Sequence, residues 1–121
     1  MADAEQEMDL GKWVTQLRKG VLELCILGLL SRGELYAYDL VKLLAQNRAL
    51  MITEGTIYPL LSRLRQGGLL HSRLEESPSG PARRYYGLTA KGKEVATIMQ
   101  SYWTELVAGV NNLLENENGD K

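Results

Sequence analysis

Residues 53–89 read TEGTIYPLLSRLRQGGLLHSRLEESPSGPARRYYGLT, and the fold is decided there. Ile57, Leu60, Leu61 and Leu64 recur at three- and four-residue spacings, so the first part predicts a helix ending near Gln66 with Thr53 as its N-cap. Pro59 falls inside that helix, where it costs stability or marks a slightly late start. Gly67-Gly68 stops it. Leu69–Leu74 and Arg84–Leu88 then read as two strands, joined by the turn-forming stretch Glu75–Ala82. A helix followed at once by a hairpin with a Pro/Gly tip is the closing half of a winged helix.

Upstream, two more helices supply the opening half. Leu10 to about Ser31 carries Trp13, Leu17, Val21, Leu24 and Gly28 on one stripe, with Val14, Leu22, Cys25, Ile26 and Leu29 as a second apolar flank, and Arg32-Gly33 ends it. A helix apolar over most of its circumference must be covered on several sides. Glu34 to about Gln46 predicts the second helix, buried through Leu35, Tyr38, Leu40, Val41 and Leu44, with Asn47–Met51 as a connector. Downstream, Thr89 caps a helix from Ala90 to Glu115, where Met99, Tyr102, Leu106, Gly109 and Leu113 make a coiled-coil-like seam. The expected fold class is therefore mainly α with a small β-hairpin. Residues 10–89 form a winged helix-turn-helix, 90–115 a long C-terminal helix, and 1–9 and 116–121 are polar ends.

Composition narrows the function. The chain has 121 residues, 45% hydrophobic and 24% charged, ordinary values for one globular domain. The longest apolar run, Cys25–Leu30, is too short to span a bilayer, and the acidic start does not resemble a signal peptide, so no membrane association and a cytoplasmic location are expected. The lone Cys25 reads as an inert core thiol in a reducing compartment. His71 stands alone, so no metal is expected, and neither a cofactor motif nor a nucleophile–base pair argues for an enzyme. Net charge is −1, but it is segregated: residues 48–93 hold eight bases against three acids, and residues 94–121 one base against five acids. Local potential, not the total, decides what a surface attracts. A solvated face of no further purpose gives the same count.

In winged helices the helix before the hairpin enters the major groove, where all four base pairs can be told apart. Here that helix would show Thr53, Glu54, Thr56, Tyr58, Ser62, Arg63 and Arg65 outward, while Arg83 and Arg84 flank the hairpin tip. Tyr58 contacts DNA or packs, Arg63 and Arg65 contact it or are ordinary surface, and Arg83 and Arg84 both serve the wing or one of them pairs with Glu75 or Glu76 across the hairpin.

The strings Gly55-Thr56-Ile57-Tyr58-Pro59-Leu60-Leu61-Ser62-Arg63-Leu64, Gly68-Leu69-Leu70 and Gly80-Pro81-Ala82-Arg83-Arg84-Tyr85-Tyr86-Gly87-Leu88-Thr89 resemble the PadR family of transcription regulators. Gly20–Leu27 and Tyr36–Leu40 are similar too, so the resemblance covers about residues 10–115, and the single short last helix looks like the small subfamily with the LmrR-type multidrug regulators. The resemblance implies a homodimer joined through its first and last helices, with Trp13, Leu17, Met99, Tyr102, Trp103, Leu106, Val110 and Leu113 in the interface. It implies binding to a double-stranded, pseudo-palindromic operator, mostly as a repressor released by an effector. Carried over by position, Tyr36 and Tyr38 lie near the DNA backbone, Thr53 to Arg63 read it, and Arg83 and Arg84 serve the wing. Ala82 departs from the pattern, since a basic or polar residue often stands there, which puts minor-groove reach in doubt. Trp103 is either an interface aromatic or one half of a sandwich around a small planar hydrophobic or phenolic ligand, with Trp13, Leu17 and Met99 beside it. A winged-helix adaptor that binds a protein partner through its last helix, without a small-molecule effector, is the alternative.

Overall fold

A computed structural model describes residues 9–50 and 52–115. Helix α1 (Leu10–Leu30) is followed by the short strand β1 (Leu35–Tyr36), α2 (Ala37–Ala45), a 3-10 turn (Arg48–Leu50), α3 (Glu54–Gln66), β2 (Leu70–Ser77), β3 (Gly80–Leu88) and α4 (Ala90–Leu114). The winged helix read from the sequence is what the chain forms. Residues 1–8 of the polar N-terminal segment, and the tail 116–121, lie outside the described residues.

The core sits where α1, α2 and α3 meet the sheet. Ile26 and Leu27 of α1, Leu40 of α2, and Ile57 and Leu61 of α3 are completely enclosed, with Leu70, Tyr86 and Leu88 closing the sheet side and Ala96 the α4 side. All four expected inward residues of α3 are buried. Pro59 does lie within α3. Having no N–H, it cannot bond the Gly55 carbonyl one turn back, and both positions fall on the exposed crest, where that carbonyl is open to solvent. Gly68, at φ 84°, makes the stop.

Four expectations need correction. The second helix begins at Ala37, not Glu34, because Leu35 and Tyr36 pair antiparallel with Tyr86 and Tyr85. The sheet therefore has three strands, in the order β1-β3-β2, rather than two. The stretch Glu75–Ala82 is not a loop: β2 runs to Ser77, β3 starts at Gly80, and only Pro78-Ser79 turn, with an irregularity between Glu75 and Ser77. Pro81 is tolerated there because β3 has a neighbour on one side only near the tip. Tyr38 is half exposed, so α2 is buried through Ala37, Leu40, Val41 and Leu44 instead. On α1 the core face is Leu22, Ile26, Leu27 and Leu30, while Trp13 and Leu17 are exposed.

Capping also divides the two expected N-caps. The Thr89 hydroxyl accepts from Gly92 N–H at 2.9 Å and donates to the Gly68 carbonyl at 2.6 Å, tying α4 to the end of α3. Thr53 caps α3 through its carbonyl alone, which accepts from Thr56 and Ile57 N–H. Its hydroxyl lies 3.2 Å from that of Thr56 rather than on a backbone amide.

Candidate nucleic-acid interface

The outer face of α3 has a crest and two flanks. At 100° per residue, Gly55, Pro59, Ser62 and Gln66 form the crest, Glu54, Tyr58 and Arg65 one flank, and Thr56 and Arg63 the other. The second flank leans on α1, where the Arg63 guanidinium lies 3.8 Å from Glu23 yet remains 72% exposed. Lys19 of α1 lines the same shallow cleft as Thr56, Pro59 and Arg63. The first flank faces the sheet. The Tyr58 pKa is raised, chiefly by burial and then by the nearby Glu54, Tyr36 and Tyr86.

Tyr36 is the meeting point. Its ring lies 6.1 Å from that of Tyr38 at the start of α2 and 5.7 Å from that of Tyr85 on β3, and the Arg83 guanidinium sits 5.1 Å above it. Lys42, one turn along α2, stands 5.5 Å from the Tyr38 ring. Contacts of this length between a cation and a ring are attractive. Tyr36, Tyr38, Tyr58 and Arg83 are thus gathered on one side of the molecule, drawn from the sheet, α2, α3 and the hairpin.

Arg83 and Arg84 do not act as a pair. Alternation along β3 sends them to opposite faces. Arg83 shares its face with Tyr85 and Tyr36, whereas Arg84 donates to the Ser72 hydroxyl at 3.0 Å, on the side of the buried Tyr86. The carboxylate contact foreseen across the hairpin is made by neither. Glu75 instead accepts from Arg73 of its own strand at 2.7 Å.

Arg73 also engages Glu34, through Nε at 3.0 Å and an ion pair at 2.9 Å, and lies 4.7 Å above the Tyr85 ring. The hydrogen bonds that Arg73 donates to Glu34 first, and to Glu75 next, raise its pKa, and the bond to Glu34 lowers that of the carboxylate. Sequence reasoning missed Glu34, Arg73, Tyr85 and Lys42 as neighbours of this face. Two-residue alternation along the strands would have aligned Arg73, Tyr85 and Arg83, but only the β1 pairing brings Glu34 and Tyr36 beside them.

A second feature lies across α1 from this face. α1 and α4 flank an open apolar groove of about 560 Å³, lined by Leu17, Val21, Leu24, Ile98, Met99, Tyr102, Trp103 and Leu106. Trp13, Val110 and Leu113 are exposed without lining it. Beyond Met99, α4 leaves the core, and Leu113 and Leu114 are 78% and 76% exposed. Cys25 is partly buried, which raises its thiol pKa, and among the described residues no cluster of His, Cys, Asp or Glu is gathered for a metal. No helix among them is long and apolar enough to cross a membrane.

Fold and surface together define a winged-helix protein with a basic, tyrosine-rich face. The model of the transcriptional regulator PadR-like family matches residues 26–98. A PadR-like transcription factor from Bacteroides fragilis is 43% identical, covering 82% of this chain and 95% of that one, with a TM-score of 0.70. A PadR-like transcriptional regulator from Bacillus cereus is 41% identical over 82% of this chain and 96% of that one, with a TM-score of 0.74. PadR of Bacillus subtilis, in complex with operator DNA, is 29% identical over 66% of this chain and 45% of that one, with a TM-score of 0.60. The chain belongs to the PadR-like family of transcriptional regulators.

Proposed function

We propose that the protein is a cytoplasmic homodimeric repressor that binds a pseudo-palindromic operator through α3, the start of α2 and the hairpin. The observation that carries this reading is the cluster around Tyr36, which puts Tyr38, Tyr58 and Arg83 on one side of the fold. Thr53, Glu54, Thr56, Ser62 and Arg63 then meet base edges and flanking phosphates, Tyr36 and Tyr38 the backbone, and Arg83, with Arg84 from the other face of the hairpin, the wing's phosphates. The solved complex of the Bacillus subtilis relative with operator DNA supports the choice of partner. Phosphate contacts set affinity and base contacts set sequence preference.

Binding is measured by fluorescence anisotropy on a duplex from upstream of the protein's own gene. Changing both Arg83 and Arg84 to Ala is expected to weaken binding to all sequences and lower the salt slope by roughly 1 to 2. An unchanged slope means that the wing touches no phosphate. Thr56→Ala and Arg63→Ala are expected to change sequence preference instead; equal weakening on every duplex refutes their role.

The dimer reading rests on the apolar side chains that α4 leaves uncovered beyond Met99, with those of Trp13 and Leu17 on α1. An apolar area of this kind calls for a partner surface. The effector is a planar apolar or phenolic compound held against Trp103 in the α1–α4 groove, and its binding releases DNA. Tryptophan fluorescence titrated with a panel of such compounds tests it, and no response across the panel removes the effector. An adaptor with a protein partner would use the same α4 surface, and it is set aside if the purified protein shifts its own upstream DNA.

A further inference from the structure

The sheet has a weak point at β1. Two residue pairs are its whole register with β3, yet β1 carries Tyr36, on which the proposed DNA face is centred. Short ladders do not hold aromatic rings in one orientation by themselves. A tether from outside the ladder is needed.

Glu34, just before β1, supplies one. Its carboxylate reaches over the middle strand to Arg73 on the far strand, with Arg73 Nε 3.0 and 3.3 Å from its two oxygens and Nη2 2.9 Å from Oε1. His71 Nδ1 lies 3.9 Å from the same carboxylate. The crossing is open because the middle strand has Gly87 beneath it. A Cβ there would stand 2.8 Å from the His71 ring and 3.0 Å from Glu34 Cγ. Held by Glu34 and Glu75, the Arg73 guanidinium sits 4.7 Å from the Tyr85 ring centroid, Tyr85 leans on Tyr36, and Arg83 covers Tyr36. The result is a row of cation, ring, ring and cation in contact, with acids at the Arg73 end and ring contact at the Arg83 end.

We infer that Glu34 is a positioning residue for Arg83: its strap over Gly87 onto Arg73 orders the Tyr85–Tyr36 ring pair, which presents the Arg83 guanidinium to a DNA phosphate. The two arginines on this face therefore differ in task. Arg73 has its donors committed to two carboxylates and serves the wing's shape, while Arg83 is held by a ring face, which leaves its in-plane N–H groups for an outside anion. The inference rests on the DNA-binding reading above.

The test compares the full-length protein with Glu34→Ala, Gly87→Ala, Arg83→Ala and the Glu34→Ala/Arg83→Ala double variant. Each is titrated on the same fluorescein-labelled duplex from upstream of its gene, across about 50 to 200 mM salt. Glu34→Ala is expected to weaken binding about three- to tenfold and to lower the salt slope by up to about 0.9, the share of one phosphate contact. The double variant is expected to bind no more weakly than Arg83→Ala alone, since the strap acts only through that arginine. Gly87→Ala, whose new methyl group displaces His71 and Glu34 side chains, is expected to repeat the Glu34→Ala result, and it carries the test if Glu34→Ala fails to fold. Wild-type binding by both single variants overturns the inference. So does a loss of affinity with the slope unchanged, or losses that multiply in the double variant. Failure of the wild-type protein to bind DNA at all is a different result, which removes the DNA-binding reading and this one with it.

Discussion

Gly92→Ala is the sharpest test of how α4 is joined to the winged helix, because two rules disagree about its sign. Gly92 lies in the first turn of α4, and exchanging glycine for alanine inside a helix gains up to about 1 kcal/mol. The surroundings say otherwise. A Cβ built on Gly92 would fall on the Leu69 carbonyl oxygen, far inside contact distance, and lie 3.0 Å from the Leu69 carbonyl carbon and 3.3 Å from Leu88 Cδ2. That oxygen belongs to the main chain and accepts from Thr89 N–H at 3.0 Å, so no flexible side chain can swing aside. Relief requires α4 to move by roughly an ångström, which strains the core by about 1–3 kcal/mol. The same movement loosens the Thr89 cap, whose loss costs about 1 kcal/mol. The cost exceeds the gain, and net destabilisation of about 1–3 kcal/mol is expected. For a chain of this size that lowers Tm by about 4–12 °C. Urea and thermal unfolding at one fixed protein concentration measure it, since assembly makes apparent stability depend on concentration. Gly28→Ala in α1 is the control: its new Cβ would meet only the Gln100 side-chain nitrogen, at 3.6 Å, so stability should hold or rise by up to about 1 kcal/mol. A Gly92→Ala protein as stable as the wild type would refute the close approach.

Three further outcomes are expected. Leu106→Asp puts a charge on the α4 side of the apolar groove and should shift the protein from dimer to monomer in sedimentation velocity; a wild-type monomer would remove the dimer itself. Burial raises the Cys25 thiol pKa, so its reaction with an aromatic disulfide reagent at neutral pH should be slow in the native protein and fast in urea, and fast native labelling would contradict the packing. Arg73 holds the Glu34 carboxyl below its ordinary pKa, so its contribution to stability is full above the ordinary carboxylate range and drains away as pH falls through the lowered value. Acid unfolding of Glu34→Ala should accordingly be less steep than that of the wild type, and identical acid profiles would refute the bond.

The parts of this fold that were legible in the sequence are those fixed by a single element's own periodicity. Ile57, Leu60, Leu61 and Leu64 sit on one side of a helix whatever it packs against, and Gly67-Gly68 ends that helix locally. The parts that were not legible depend on a neighbour. Leu35 and Tyr36 continue a plausible helical pattern, and only the exposed edge of β3 draws them out as a strand. Glu75–Ser77 and Gly80–Arg83 have the composition of a loop, yet each is held by the other in a ribbon with little to bury. Tyr38 reads as inward only when Leu35 is counted into the helix; with Leu35 in β1, the buried stripe is Ala37, Leu40, Val41 and Leu44, and Tyr38 lies off it. On the candidate face too, the neighbour decides: Arg83 and Arg84 are adjacent in sequence and turned to opposite sides of the sheet.

Placement of α1 links the two candidate sites. Leu17, Gly20, Val21 and Leu24 line the groove shared with α4, while Lys19, Leu22 and Glu23 border α3, where Glu23 lies beside Arg63. One element thus has a groove on one side and the exposed helix of the candidate DNA face on the other. This explains why its sequence is apolar over so much of its circumference: Leu22, Ile26, Leu27 and Leu30 serve the core, and the stripe through Leu17, Val21 and Leu24 serves the groove. A compound that widened the groove would have to push on α4 or on α1. α4 is pinned at its start by Thr89 and by the close approach of Gly92 to Leu69. α1 is tied by Arg18 to the Leu50 carbonyl, next to the segment that leads into α3. Under the proposed effector reading, pressure in the groove would reach α3 through α1 by way of Arg18 and Leu50 or of Glu23 and Arg63, the contacts that join α1 to that side of the fold.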